Sequence, residues 1–336
     1  DRLDLFINYN NVDDNDGTHY DPNKYKYVGL LPAQISAQER GIPLIVTLCV
    51  AAEQYVNNTG SILSLVDGPH RRRPPTPDEI KAMGNISLAY GAKGFMYYMV
   101  PTRAAQPSLG KTVFNQYGLY EEANFAFNPS IPATWVQDPD QLQVPNNRYT
   151  AVQEFISATS LIDSTLLRLR WLGAEGWSRD DQCTIDWIRN LTTSTSPSFS
   201  TNDPVKYAET GYFEEDPGLP GYNSDARYIY IVNRRCNWQS TDTSNRFIRF
   251  TIDSTVASNY SNIKVTNLKT GQKYYTSKNS NFALYLKAGE GTLLKFEPTI
   301  LAGGLLVENE TVSTSIEVDS SLELSQYKKL RIENGA

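Results

Sequence analysis

Histidine, cysteine and long apolar runs are all scarce in this chain of 336 residues. The two histidines, His19 and His70, have no partners in the pattern of a zinc site or a serine–histidine pair, so neither chemistry is predicted. Three cysteines are too few for a disulfide framework. Cys49 lies in an apolar segment and is predicted to be a small buried side chain. Cys183 and Cys236 either form one disulfide or remain thiols, because the sequence leaves their separation open.

A surplus of positive charge is also missing. The chain has 31 Lys and Arg against 37 Asp and Glu, which gives a net charge of -6 and a pI near 5.2. This balance argues against a nucleic-acid partner, which would require a basic face. The one basic run, residues 70–73, precedes two prolines and is predicted to be a solvated turn rather than an anion site.

No apolar stretch approaches the roughly 20 residues of a membrane helix, so no membrane span is predicted. No signal peptide is visible either, since the sequence opens at Asp1 in the manner of a strand, and we expect a processed or truncated chain.

The acidic residues Asp13–Gly17 resemble a calcium loop in composition only. Val12 occupies the first ligand position and no acid follows at the far end, so we predict a solvated turn, no metal site and no cofactor.

Composition indicates a folded extracellular protein. Hydrophobic residues make up 40% of the chain and aromatic residues 11%, which is enough for the cores of two domains. Asn, Ser, Thr and Tyr are abundant, and the chain contains N-glycosylation sequons. These sequons begin at Asn57, Asn85, Asn190, Asn259 and Asn309. We therefore expect an extracellular or cell-surface location.

The most informative segment runs from Thr76 to Tyr98. Thr76 is a suitable N-cap, Pro77 suits the first helical position, and Glu79 completes a capping box. Gly91 ends the predicted helix, and the apolar residues after it predict a strand that is buried on both faces. The segment is therefore one α/β unit.

Similar elements surround this unit. The apolar pattern predicts a strand at residues 3–8, a helix at 26–40, a strand at 44–50 and an amphipathic helix at 148–168. Residues 101–147 form a long segment rich in Pro and Asn. Segments of this length in a compact domain are usually functional.

From Trp171 onward the pattern changes to short strands in which apolar and polar residues alternate. We predict strands at 228–233, 246–252, 263–266, 273–275, 282–286 and 292–296. Such a series with glycine-rich turns is typical of an antiparallel β-sandwich.

The tail, residues 300–336, contains four shorter apolar segments that resemble the entry coil of a parallel β-helix. One coil cannot bury its own apolar face, so we expect the tail to dock on the sandwich or to pair outside the chain.

The run LAYGAKG at residues 88–94, with the aromatic strand after it, resembles the last helix–strand step of (β/α)8-barrel glycoside hydrolases. Residues 264–297 are similar to the sandwich that follows many of those barrels. The resemblance implies a secreted multidomain protein of class α/β plus all-β. Residues 1–170 would be the last three strand–helix units of a TIM-type barrel, residues 171–298 an antiparallel β-sandwich, and residues 299–336 a β-repeat tail. The first five units are absent from the sequence, so it cannot close a barrel alone.

The same resemblance places a site at the carboxyl ends of the strands. A retaining glycosidase needs two carboxylates, and the resemblance assigns them to the seventh and fourth strands. Apolar residues fill the end of the predicted seventh strand, so the nearest carboxylate, Glu53, is the candidate catalytic residue; the fourth strand is not in the sequence. Tyr97 and Tyr98 are candidate platforms for a sugar ring, and Trp135 extends that surface. For all three aromatic residues, packing in a local core is the competing interpretation.

Two functions of different classes follow. The first is a glycoside hydrolase-like extracellular protein that acts on or binds carbohydrate, with catalytic activity left open. The second is a structural or adhesive extracellular protein that assembles with copies of itself, or with a missing N-terminal region, and keeps the fold without catalysis. A third interpretation, a carbohydrate-binding module, requires an exposed aromatic row on the sandwich, for which Trp177, Trp187 and Trp238 are candidates.

Overall fold

The computed structural model describes residues 30–50, 52–56, 75–98, 113–117, 120–123, 126–132, 148–177, 183–236, 244–257 and 262–299, and four short strands between residues 304 and 332. The chain forms two compact units. The first unit comprises residues 1–84, 94–156 and 236–242, and the second comprises residues 85–93, 157–235 and 243–336.

The first unit combines helices with three separate pairs of strands. Its elements are α1 (Leu30–Glu39), β1 (Ile45–Cys49), β2 (Ala52–Val56), α2 (Pro77–Ala89, whose last five residues belong to the second unit), β3 (Gly94–Tyr98), β4 (Val113–Tyr117), β5 (Tyr120–Ala123), β6 (Ala126–Pro132) and α3 (Arg148–Ser160, whose last four residues belong to the second unit). Strands β1 and β3 are parallel, whereas β2 pairs with β4 and β5 with β6 in antiparallel fashion.

The predicted start of α2 is confirmed atom by atom. The backbone N–H of Thr76 donates to Oε2 of Glu79 over 2.7 Å, and the N–H of Glu79 donates to Oγ1 of Thr76 over 3.2 Å. Two otherwise unpaired amides at the helix start are thus satisfied by a reciprocal capping box. At the other end, Gly91 has a φ of +84°, a left-handed conformation that glycine adopts without steric cost.

Helix α3 packs on the first unit through one aromatic side chain. The ring of Phe155 meets that of Phe95 edge to face, with 5.2 Å between centroids. It also lies over Gly84, where a Cβ atom would come within 2.4 Å of the ring. Only a residue without a side chain leaves room for Phe155 there.

Between residues 169 and 299, the described strands of the second unit form two antiparallel sheets. After α4 (Asp163–Arg168), its strands are β7 (Leu169–Gly176), β8 (Ile188–Ser194), β9 (Ala208–Glu215), β10 (Arg227–Asn233), β11 (Arg246–Ile252), β12 (Asn262–Asn267), β13 (Lys273–Ser277), β14 (Asn281–Leu286) and β15 (Gly291–Thr299). The larger sheet has the strand order β13-β12-β15-β10-β9-β7, and the smaller has the order β14-β11-β8. Both contribute to one hydrophobic core, to which Ile229 and Ile231 belong from the large sheet and Ile248 and Phe250 from the small one. All four side chains are fully buried.

Residues 85–93 lie against the large sheet of their own unit. The hydroxyl of Tyr230 donates to Oδ1 of Asn85 over 2.7 Å, and the indole N–H of Trp171 donates to the carbonyl oxygen of Ala89 over 3.1 Å. Gly211 permits the close approach, because a Cβ atom at this position would lie 2.0 Å from the Ala89 carbonyl oxygen.

The tail shows parallel pairing. Strand β16 (Gly304–Leu306) pairs with β18 (Leu322–Leu324), and β17 (Glu310–Val312) pairs with β19 (Leu330–Ile332). Partners are 18 residues apart in the first pair and 20 in the second. The predicted domain boundaries, including that of the tail, stay predictions.

The mixed class of helices with antiparallel sheets is confirmed, but the TIM-type barrel is not, because the sheets of the described residues do not close. One helix prediction was wrong. The helix expected over 148–168 is broken into α3 and α4, because Ile162 leaves the helical conformation with φ -127° and ψ 2°. The structure also lacks the bridge considered for Cys183 and Cys236, since Cys183 is a free thiol.

Candidate functional site

The carboxyl ends of β1 and β3 are held together by a buried polar network. The N–H of Val50 donates to the carbonyl oxygen of Tyr98 over 2.7 Å, one residue beyond the end of β1. Arg148, the first residue of α3, donates from Nη1 to the carbonyl oxygen of Val50 over 2.6 Å and is only 1% exposed. The charge-assisted bond fixes the backbone at the point where the sequence predicted a site.

The two faces of this parallel pair differ in burial. Val46 and Leu48 of β1 are buried, and their register partners on β3 are Phe95 and Tyr97. On the opposite face, Ile45 is 56% exposed and Met96 is 62% exposed. We call this second side, which carries Ile45, Met96 and Tyr98, the open face. Side chains alternate along a strand, so the two candidate tyrosines lie on different faces.

Tyr97 lies on the face that Phe95 shares, where α3 packs. Its side chain is half-buried, and its hydroxyl oxygen is buried without a hydrogen-bond partner in the described part of the chain. Burial raises the pKa of Tyr97 to about 12. The phenol therefore stays neutral across the physiological range. Tyr98, by contrast, is half-buried on the open face.

Glu53 lies on β2, which begins three residues after β1 ends. In the β2–β4 pair it stands opposite Gln116, and Tyr55, two residues on, stands opposite Phe114. A catalytic role for Glu53 stays a prediction.

Several residues singled out in the sequence lie outside the described residues. They are Asp13–Gly17, His19, His70, Trp135 and Trp238, together with the sequons at Asn57, Asn259 and Asn309. Within the described ranges, no group of three or more His, Cys, Asp or Glu side chains could hold a metal ion. Among the described helices, none is long and apolar enough to cross a membrane.

Comparison with known proteins gives a distant likeness only. No protein-family model matches the chain, and no curated protein matches it. Among solved structures, a family 27 β-L-arabinopyranosidase from Geobacillus stearothermophilus is similar over 70% of this chain and 34% of its own, with 9% identity and a TM-score of 0.28. A family 5 glycoside hydrolase from Bacteroides vulgatus ATCC 8482 is similar over 70% of this chain and 38% of its own, with 12% identity and a TM-score of 0.28.

A third solved structure, described as a glycoside hydrolase, is similar over 77% of this chain and 43% of its own, with 10% identity and a TM-score of 0.30. This chain thus spans well under half the length of the structures that it matches.

Trp177 and Trp187, two of the three candidates for an exposed row on the sandwich, have structural partners. The indole N–H of Trp177 donates to Oγ1 of Thr210 over 3.1 Å, and Trp187 meets the ring of Tyr212 edge to face at 5.7 Å. Both indoles are partly buried against the core of the second unit. Each also has a cation near its ring, at 6.0 Å for Lys206 Nζ over Trp177. Trp177 and Trp187 are therefore packing residues.

A buried ion pair was missed in the sequence. Nη1 of Arg234 lies 3.1 Å from Oε1 of Glu209, and the two side chains are 3% and 0% exposed. The hydroxyl of Tyr90 donates to the other carboxylate oxygen over 3.5 Å. The signal for this ion pair in the sequence was a Glu within an apolar strand, because a charged residue is buried only when it has a partner of opposite charge.

Proposed function

We propose that this chain is the carbohydrate-binding part of a glycoside hydrolase-like protein, and that the sugar stacks on Tyr98 at the carboxyl ends of β1 and β3. One observation carries the proposal: Tyr98 shares the open face with Ile45 and Met96, whose apolar side chains are more than half exposed. Parallel strands are normally covered on both faces, so an uncovered apolar surface at strand ends is unusual.

The chemistry of that face suits a sugar ring better than an ion. The negative face of an aromatic ring attracts the weakly positive C–H groups on the apolar side of a pyranose. Strands β1 and β3 contain no charged residue. The ligand class that follows is a neutral glycan.

Under this proposal Glu53, on the strand that follows β1, is the candidate carboxylate. A retaining glycosidase needs a second carboxylate at about 5 Å. Strands β1, β3 and β4 contain no Asp or Glu in their sequences, so hydrolysis would require a carboxylate from elsewhere. The proposed function is therefore binding, with hydrolysis as a property of a longer protein.

We also propose an extracellular or cell-surface location. The support is the sequon at Asn190, which is exposed and stands at φ +54° on β8. The sequon at Asn85 lends no support, because this side chain is 3% exposed and its amide nitrogen donates to the carbonyl oxygen of Gly289 over 2.8 Å.

The test uses small sugars. Binding of a panel of methyl glycopyranosides to the full chain would be measured by saturation-transfer NMR. We expect signal from at least one sugar, its loss in Tyr98→Ala, and its retention in Tyr222→Ala. Tyr222 is a matched control, since it is a surface tyrosine with 40% exposure in the second unit. Equal signals from both variants, or no signal from any sugar, would contradict the proposal.

A further inference from the structure

The outer face of the small sheet in the second unit differs from an ordinary solvated sheet face because it carries an aromatic residue. Along β11, Ile248 and Phe250 point into the core and are fully buried. Phe247, Arg249 and Thr251 alternate with them and are half-buried on the outside. A strand with one solvated face usually carries only polar residues there, so an outward phenylalanine in the middle strand requires a reason.

Phe247 forms part of an aromatic pair. Its register partner on β14 is Tyr285, and the two ring centroids are 4.9 Å apart at an interplanar angle of 52°. Tyr285 is nevertheless 48% exposed. The pair therefore presents a broad aromatic surface to solvent while each ring holds the other in place.

A third ring reaches the same face from the loop that follows β8. The N–H of Phe199 donates to the carbonyl oxygen of Ser196 over 3.1 Å and closes a turn with Pro197 at its second position. Phe199 itself has a φ of +52°. This left-handed conformation is unfavourable for a bulky residue, and it persists only where the surroundings enforce it.

Phe199 is held over Arg249. The guanidinium carbon of Arg249 lies 4.3 Å from the ring centroid, close enough for a cation–π contact. The ring is half-buried and does not belong to the core cluster of the second unit. A strained backbone thus positions an aromatic ring at the surface, which is the kind of outlier that points to function.

Hydrogen-bonding groups border these rings. Thr192 stands opposite Arg249 in the β8–β11 register, and the hydroxyl of Thr251 donates to Oδ1 of Asn281 over 3.1 Å. We call Phe199, Phe247, Arg249 and Tyr285 the aromatic face. It combines three rings with a guanidinium group, and the hydroxyl and amide groups of Thr251 and Asn281 border it, so it is not one continuous apolar patch.

We propose that the aromatic face is a second carbohydrate-binding surface, which takes the pyranose rings of a neutral polysaccharide chain. Pyranoses present apolar C–H faces and a polar rim, and the aromatic face offers rings for the former and hydrogen-bonding groups for the latter. A nucleic acid is a poor match because the chain carries a net charge of -6. The surface lies in the second unit and the Tyr98 site in the first, so each proposal can fail without the other.

The experiment is affinity electrophoresis of the full chain in native gels that contain galactomannan, xyloglucan, arabinoxylan or mixed-linkage β-glucan. The decisive variants are Tyr285→Ala and Phe199→Gly. Glycine adopts a positive φ freely, so the second variant removes the ring while relieving the backbone strain. Circular dichroism and thermal melts would verify that both variants fold.

We expect at least one polysaccharide to retard the wild-type chain, and each decisive variant to weaken its binding by about tenfold. Tyr222→Ala should stay within about twofold of wild type in this assay. The proposal is overturned if no polysaccharide retards the chain, if the decisive variants bind like wild type, or if only Tyr98→Ala loses retardation. It is also overturned if the face joins two copies, which sedimentation would show as a dimer that Tyr285→Ala dissociates.

Discussion

The hydroxyl of Tyr230 donates a 2.7 Å hydrogen bond to Oδ1 of Asn85, a residue 145 positions earlier in the chain. Tyr230 is fully buried, and burial raises the pKa of its phenol far above the ordinary value. The phenol is therefore a permanent donor in the folded protein. We expect Tyr230→Phe to lower the free energy of unfolding by about 1–3 kcal/mol, because the Asn85 oxygen loses its donor inside the protein.

Urea denaturation of the purified variant would measure this loss. The matched control is Thr251→Val, which removes the bond to Asn281 on an exposed strand and should cost no more than about 0.5 kcal/mol. Equal losses in the two variants would show that the buried bond adds nothing beyond a surface one.

Gly211→Ala tests the contact between the large sheet and residues 85–93. The new methyl group would meet the backbone oxygen of Ala89 at 2.0 Å, and backbone cannot rotate away as a side chain can. We expect a loss of about 3 kcal/mol or outright unfolding, measured by thermal melting. Gly218→Ala is the control, because Gly218 is exposed and its nearest neighbour is a side-chain oxygen of Asp216 at 3.3 Å. A normal melting temperature for Gly211→Ala would refute the close contact.

Arg234→Met should be strongly destabilising, by about 3–5 kcal/mol, because it leaves the Glu209 carboxylate buried without its cation. Adding Glu209→Gln to this variant should restore part of the loss, which a double-mutant cycle would measure. Arg170→Met provides the comparison. Arg170 pairs with Glu214 but is 51% exposed, and its loss should cost at most about 1 kcal/mol.

Because of Tyr97, we expect the free energy of unfolding to depend on pH in the alkaline range. Its pKa is about 12 in the folded protein, against an ordinary value of 10.0 for a tyrosine phenol. A raised pKa means that folding favours the neutral phenol, so its contribution is complete below pH 10 and disappears as the pH rises to about 12. Comparing the unfolding of wild type and Tyr97→Phe across this range should reveal the difference, since phenylalanine cannot ionise. Parallel curves would indicate that Tyr97 titrates normally.

The same substitution is informative at neutral pH. The Tyr97 hydroxyl is buried without a partner among the described residues, so its removal deletes a desolvated polar group. Tyr97→Phe should therefore be neutral, or stabilising by up to about 1 kcal/mol. A clear loss of stability would mean that the hydroxyl has a partner.

Two sequons that are equivalent in the sequence should differ in glycan occupancy. When the chain is expressed through a eukaryotic secretory pathway, Asn190 should be occupied because it is exposed, and Asn85 should stay bare because it is buried. Glycopeptide mass spectrometry would determine both. Full occupancy of Asn85 would show that modification precedes the folding of this segment.

The sequence predicted those features of the fold that depend on residues close together in the chain. The capping box at Thr76 and the alternation along β11 both involve neighbours within a few residues, and both predictions are confirmed. The helix break at Ile162 was missed because this residue is fully buried and continues the apolar period across the break. Strand β9 was not predicted, since Glu209 and Thr210 read as surface residues until the partner Arg234 is known.

The candidate site was predictable only in part, for a related reason. Alternation requires that Tyr97 and Tyr98 face opposite ways, but it does not say which face receives a covering helix. That depends on Phe155, which is nearly sixty positions away in the chain. The aromatic face was not predictable from the sequence, because Phe199, Phe247 and Tyr285 come from three separate segments.

The parallel pairs in the tail bear on how the length of such a protein could evolve. Partners lie 18 and 20 residues apart, so in each pair the later strand uses the backbone edge of the earlier one. A duplication of one such interval in the gene would add a rung without disturbing those already formed. Length in this region is thus open to variation by copy number.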